Sequence, residues 1–312
     1  MTPFAFVFPG QGSQAVGMLD AWGDHAAVRQ TLAEASEALG EDIGRLIHVG
    51  PKEQLDLTTN TQPVMLTAGI ACYRAWIAET GLAPSVVAGH SLGEYSALVA
   101  AGALTLAAAL PLVRFRAQAM QDAVPVGAGA MAAILGLDAQ AVRDACTEVA
   151  AATGEVVDAA NFNDPKQTVI AGSKAGVDKA CEVLKARGAK RALLLAVSAP
   201  FHSSLMKPAA VRLRERLAST ALVAPVIPVV NNIDVKVETD PVLIRDALYR
   251  QAFGPVRWVE VVQAIRARGV SHIVECGPGK VLAGIVKRVD ADAVSGALFD
   301  PASLADVKGL LA

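Results

Sequence analysis

Apolar positions along this 312-residue chain fall into two alternating patterns. Short apolar runs at 4–8, 86–88, 226–230 and 270–275 read as buried strands. Between them lie longer segments in which apolar residues recur with a helical period. Residues 26–39 predict an alanine-rich helix, and 62–79 a stronger one with Val64, Met65, Ala68, Cys72, Ala75 and Trp76 on one face. Gly81 closes that helix. Thr105 caps a helix reaching about residue 122, which Pro111 is expected to kink or shift. Further helices are predicted up to 219 and over 243–252 and 259–268, and another follows the turn Gly277-Pro278-Gly279. Strands alternating with helices imply a mainly parallel sheet covered on both faces. Ligands of such sheets sit beyond the carboxyl ends of the strands.

The pattern changes after a Pro/Gly-rich stretch at 124–129. Strand 130–137, helix 138–151 behind an Asp138 cap, strands 156–160 and 167–171 around a turn at 161–165, helix 174–187 and aliphatic strand 192–197 follow in order. That β-α-β-β-α-β order is ferredoxin-like. The expected fold class is therefore α/β, with residues 1–124 and 197–312 as a large domain and 125–196 as an inserted α+β subdomain.

Composition narrows the function classes. At 53% hydrophobic and 19% charged residues, the chain can build a large core and is not broadly disordered. Aromatics at 4%, a formal charge of −2 and the lack of a basic run argue against nucleic acid as partner. Cys72, Cys146, Cys181 and Cys276 are too scattered for a zinc or redox motif, so reduced thiols and no metal are expected. No signal peptide or membrane span is read, so a cytoplasmic monomer with no membrane partner is expected.

The candidate chemistry centres on Gly89-His90-Ser91-Leu92-Gly93 between the run at 86–88 and a helix-forming segment. A serine at such an elbow is exposed beside a helix N-terminus, where free N–H groups and the helix dipole favour an oxyanion. A plain strand–helix turn has the same spacing. Pro9-Gly10-Gln11-Gly12 reads equally as an ordinary turn or as a loop aiming a backbone N–H at a ligand. Of five histidines, His90 is adjacent to Ser91 and should point to the opposite face. His25 and His48 lie in polar segments, and His272 lies within a strand. His202 follows an aliphatic strand at a helix start and is the candidate base. No acid stands out as a third member, and more than 100 residues follow His202. A hydrolase of the elbow type puts its histidine last in chain order, so an ordinary esterase fits poorly.

Eight stretches together resemble the malonyl-coenzyme A:acyl carrier protein transacylases and the acyltransferase domains of polyketide synthases. They are Phe8-Pro9-Gly10-Gln11-Gly12-Ser13-Gln14, Gly89-His90-Ser91-Leu92-Gly93-Glu94-Tyr95, Gly129-Ala130-Met131-Ala132-Ala133, Asn161-Phe162-Asn163, Pro200-Phe201-His202, Asn231-Asn232, Pro255-Val256-Arg257-Trp258 and Gly277-Pro278-Gly279-Lys280. The resemblance implies a hydrolase-like domain with a ferredoxin-like insert. It also implies transfer of malonyl from malonyl-coenzyme A to acyl carrier protein without a cofactor. By motif, Ser91 would be nucleophile and His202 base. The N–H groups of Gln11 and Leu92 would form the oxyanion hole, and Gln251 would lie near His202, which a main-chain carbonyl orients. Arg116 would hold the malonyl carboxylate, with Arg114 as runner-up because of Pro111. Asn161 would line the cleft, and Phe201 should crowd a branched acyl group. Lys185, Arg187, Lys190, Arg191, Lys280, Lys287 and Arg288 are candidate contacts for an acidic carrier protein. The first alternative is a discrete polyketide-synthase acyltransferase; behind it stand a thioesterase, separated by acyl release to water, and a non-catalytic docking subunit, excluded by acylation of Ser91.

Overall fold

The computed structural model describes residues 2–312. In chain order its strands are β1 (Phe4–Phe8), β2 (Val86–Gly89), β3 (Gly129–Leu135), β4 (Val157–Asp164), β5 (Gln167–Ser173), β6 (Arg191–Leu194), β7 (Val229–Val230), β8 (His272–Cys276) and β9 (Val294–Leu298). The larger sheet has the order β7-β2-β1-β8-β9, and all its pairings are parallel. β1 is central and wholly buried. Its alternating side chains serve two layers, as a strand buried on both faces requires. Phe4, Phe6 and Phe8 pack with Trp76 and Leu66 from the helix Thr58–Thr80, and Phe6 meets Trp76 edge to face at 5.6 Å. Ala5 and Val7 face Trp258, Val262 and Ile265 from the helix Trp258–Ala267.

The smaller sheet has the order β4-β5-β3-β6 and is antiparallel throughout. With helices Ala139–Thr153 and Lys174–Ala186 between its strands, this is the ferredoxin-like arrangement. Its own core joins Ile134, Val142, Val149, Ile170, Val177 and Leu184. The α/β fold with a mainly parallel sheet and a small α+β unit is therefore as expected. Among the described residues no helix is long and apolar enough to cross a membrane.

Several local expectations change. The turn expected at 161–165 is strand, because β4 runs to Asp164 and the chain reverses only at Pro165-Lys166. Two register shifts absorb the asparagines, and Phe162 N and Val256 N bond to Val256 O and Ala160 O at 2.9 Å each. That bridge ties β4 to the segment ahead of Trp258. The aliphatic strand expected over 192–197 is shorter and exposed: β6 ends at Leu194, which is 60% exposed. As an edge strand it pairs only with β3; Ala192 packs against the core of the small unit, whereas Leu193 and Leu194 are exposed. Strand 226–230 contracts to β7, and helix 62–79 begins earlier, at Thr58. The helix Leu106–Asp122 starts behind its Thr105 cap and continues unbroken through Pro111. Helices Ile43–Val49, Lys52–Leu55 and Pro301–Leu311, and strand β9, were not anticipated.

Candidate active site

The carboxyl ends of β1 and β2 place the Gln11 loop beside Ser91. Ser91 has φ 52°, a conformation a side-chain-bearing residue rarely adopts. Its glycine neighbours are sterically required. A Cβ on Gly93 would lie 2.1 Å from Phe8 O, and one on Gly89 would lie 1.9 Å from Gly93 C and O. The elbow is thus pressed against the end of β1, and only the missing Cβ atoms permit it. Leu92 caps the helix Gly93–Ala100. Among the described residues, the backbone N–H groups of Gln11 and Leu92 donate to no protein acceptor.

Ser91 Oγ lies 2.7 Å from His202 Nε2. His202 Nδ1 donates to the main-chain carbonyl of Gln251 at 2.9 Å, which leaves Nε2 as the accepting nitrogen. The carbonyl takes the place of a triad acid, and its helix, Pro241–Gln251, ends there. Burial, helped by the nearby Arg116 charge, pushes the His202 pKa down to about 3. The imidazole is therefore neutral and able to accept a proton across the ordinary pH range. His202 also has positive φ, at 64°.

Arg116 is 2% exposed beneath the serine. Its Nη1 donates to Gln62 Oε1 at 2.8 Å, and its Nη2 donates to Ser91 Oγ and to Gln251 Oε1 at 3.2 Å each. All three acceptors are neutral, and Nε has no partner. Burial pushes the Arg116 pKa down, against the opposing pull of nearby Tyr95 and Glu94. Arg114, two residues away, points outward and is bonded bidentately to Glu41 at 2.8 Å through both nitrogens. Arg116 lines the Ser91 cleft and Arg114 does not.

A cleft of about 150 Å³ brings together Gln11, His90, Ser91, Arg116, Asn161, Phe201 and His202, with Met131, Leu195 and Val197 as further walls. Asn161 stands on β4 rather than in a turn, and its Oδ1 is buried without a partner. His90 reaches Asn163 Oδ1 through Nε2 at 2.8 Å and packs against Trp258 at 5.4 Å, so its ring is engaged away from Ser91. His25 and His48 pair with Glu79 and Asp20, and His272 contacts Ser271 at 2.9 Å.

Three site residues were missed. Gln62 anchors Arg116 and bonds Gln11 Oε1 at 3.2 Å, although its helix was read only for its apolar face. Asn232 Oδ1 accepts from Ser91 N at 2.7 Å, and Glu94 is buried behind it. Both lay in stretches quoted for resemblance, without a role. A polar residue at the end of a buried strand was the available signal. Among the basic candidates, Arg187 pairs with Glu148, Arg288 with Asp164, and Lys287 with the Ala293 carbonyl. Lys280 lies over the Phe299 ring at 4.9 Å.

The chain has close relatives. The chain is 54% identical to the malonyl CoA-acyl carrier protein transacylase of Escherichia coli K12 over 306 residues, 98% of each chain. A crystal structure of the acyl-carrier-protein S-malonyltransferase of Burkholderia pseudomallei 1710b matches with TM-score 0.96 and 66% identity, covering 98% of this chain and 99% of that one. A type II polyketide-synthase acyl carrier protein in complex with its malonyl-transacylase contains a chain matching with TM-score 0.95 and 50% identity, covering 97% and 98%. The acyl transferase domain family matches residues 5–299, nearly the whole of both sheets and every residue of the cleft, and the chain belongs to that family.

Proposed function

We propose that the protein transfers malonyl from malonyl-coenzyme A to the phosphopantetheine thiol of an acyl carrier protein, for fatty acid synthesis. The observation that carries this is the 2.7 Å contact of Ser91 Oγ with His202 Nε2 above a buried, unpaired arginine. His202 takes the Ser91 proton as Oγ attacks the thioester carbonyl. The oxyanion is received by the Gln11 and Leu92 N–H groups, where one donor contributes about 2.7–4 kcal/mol. The coenzyme A sulfur leaves with the proton from His202. The carrier thiol then gives its proton to His202 and attacks the malonyl ester, and Ser91 recovers its hydrogen. The steps call on no metal or redox cofactor.

Arg116 receives the malonyl carboxylate through a planar two-point fork. Asn161 Oδ1 accepts an amide N–H of the pantetheine arm, the donor its burial leaves it lacking. Phe201, a wall of the cleft, excludes a branched α-carbon. The unit 125–196 carries Asn161 and Met131 over Ser91. Lys185, Lys190 and Arg191 face the carrier.

Brief exposure to malonyl-coenzyme A, then intact mass and peptide mapping, should place one malonyl on Ser91. Ser91→Ala should carry none. An adduct elsewhere, or release to water faster than transfer to thiol, would refute the proposal. The similarity to a polyketide malonyl-transacylase favours a second reading, service to a polyketide carrier. Parallel transfer assays with fatty acid and polyketide carrier proteins separate the two.

A further inference from the structure

The reading of Ser91 and His202 as nucleophile and base leaves one buried carboxylate without a part. Glu94 lies in the first turn of the helix Gly93–Ala100 and is 2% exposed. It pairs with no cation; its Oε2 accepts two N–H groups. One is the backbone N–H of Asn232 at 2.8 Å, and the other is Gln251 Nε2 at 3.0 Å. Each donor leads directly to a reacting group.

The Asn232 side chain spans the elbow. Its Oδ1 accepts from Ser91 N at 2.7 Å, and its Nδ2 donates to Gly89 O at 2.8 Å. The strained residue at φ 52° is thus held from the far side of the turn. Gln251 Nε2 also donates to Ser91 O at 3.0 Å. The main-chain carbonyl of the same glutamine accepts His202 Nδ1, and its Oε1 accepts from Arg116. Nucleophile, base and guanidinium therefore converge on two residues, Asn232 and Gln251, the base through the Gln251 main chain, and one carboxylate oxygen holds both.

We propose that Glu94 is a positioning residue that sets the register of Ser91 against His202. Without Oε2, the Asn232 N–H and one Gln251 N–H are orphaned in a dry interior, and each can be satisfied only by moving. Movement of Asn232 releases the elbow, and rotation of Gln251 shifts the carbonyl that aims His202. The device needs an acceptor oxygen more than a charge. Burial raises the Glu94 pKa to about 7, and a proton on Oε1 leaves Oε2 accepting. A glutamine can supply that oxygen, whereas an alanine cannot.

The test measures Ser91 malonylation by rapid-quench intact mass in Glu94→Ala, Glu94→Gln, Asn232→Ala and the double variant Glu94→Ala/Asn232→Ala. Leu98→Ala, a buried site on the same helix outside the hydrogen-bonded set, serves as the packing control. A misplacement near 1 Å costs about 10²-fold, so Glu94→Ala should lose about that factor in the acylation rate constant while KM for malonyl-coenzyme A moves less than about threefold. Glu94→Gln should recover all but about tenfold of the rate. The double variant should be no slower than the worse single one, because both break the same chain of contacts. Leu98→Ala should lower Tm and leave the rate constant alone.

A folded Glu94→Ala that acylates at the unmodified rate overturns the inference. So does a Glu94→Gln as slow as Glu94→Ala, or a Leu98→Ala that slows acylation equally. If Glu94→Ala does not fold, Glu94→Gln against Asn232→Ala, with their double variant, carries the same test, and additive losses refute it. Ser91→Ala separates the two levels. Malonylation persisting there removes the underlying reading, whereas its absence beside an unaffected Glu94→Ala removes this inference alone.

Discussion

Replacing Arg116 by alanine should change which acyl group the protein takes more than how fast it reacts. The guanidinium is 2% exposed and its three hydrogen bonds end on neutral atoms, so the cleft holds a cation with no carboxylate in direct contact; the buried Glu94 reaches it only across Gln251. A malonyl carboxylate bound there gains charge-assisted hydrogen bonds of about 1.5–3 kcal/mol, or roughly 10- to 150-fold. Arg116 also donates to Ser91 Oγ and Gln251, so its loss disturbs the nucleophile for every substrate. Acetyl-coenzyme A lacks the carboxylate and reports that common part alone. The ratio of kcat/KM for malonyl over acetyl should therefore fall by about 10- to 150-fold in Arg116→Ala, whatever the absolute rates. Arg116→Lys should fall between, because an ammonium cannot reproduce the planar fork. Arg114→Ala should leave the ratio unchanged, since that side chain is occupied by Glu41 at the surface. Competition assays with both coenzyme A esters measure the ratio directly. An unchanged ratio in Arg116→Ala would mean that the carboxylate is held elsewhere.

Four further outcomes follow from the same geometry. His202→Ala should slow acylation by about 10² to 10⁴, and His90→Ala by far less, because His90 is committed to Asn163; the opposite ranking would refute the assignment of the base. With the His202 pKa depressed to about 3, the base stays neutral as pH falls, so the acid limb of kcat/KM should lie well below pH 6.5, the ordinary histidine value. A midpoint at or above that value would show a base exposed to solvent. Gly93→Ala puts a Cβ 2.1 Å from a backbone oxygen, and calorimetry should show gross destabilisation or no folded protein. Transfer to an acidic carrier should weaken with salt through Lys185, Lys190 and Arg191, whereas charge reversal at Arg187 or Arg288 should act mainly through their ion pairs with Glu148 and Asp164. Transfer indifferent to salt and to reversal at the first three would place docking elsewhere.

Much of this protein follows from the sequence alone because the signals are local. Apolar runs alternating with helical periodicity dictate the parallel sheet, and the flanking glycines mark the Ser91 elbow. Strand alternation set aside His90, local context set aside the other three histidines and left His202, and capping residues such as Thr105 and Asp138 set helix starts. Each reports on atoms a few residues away. Tertiary structure decided the rest, since long-range partners leave no local trace. The aliphatic run after Ala192 is partly exposed, because β6 ends at Leu194 and the residues beyond it line the cleft instead of a core. The asparagines of β4 continue the strand because Val256, far along the chain, supplies the matching backbone. Pro111 does not break the Arg116 helix; what distinguishes Arg116 from Arg114 is that Gln62 and Gln251 converge on one of them and Glu41 captures the other. The orienting carbonyl for His202 comes from a backbone, and no side-chain pattern can announce it. The part played by Glu94 arises only where three separate segments meet out of water, because an orphaned donor there has nothing else to bond.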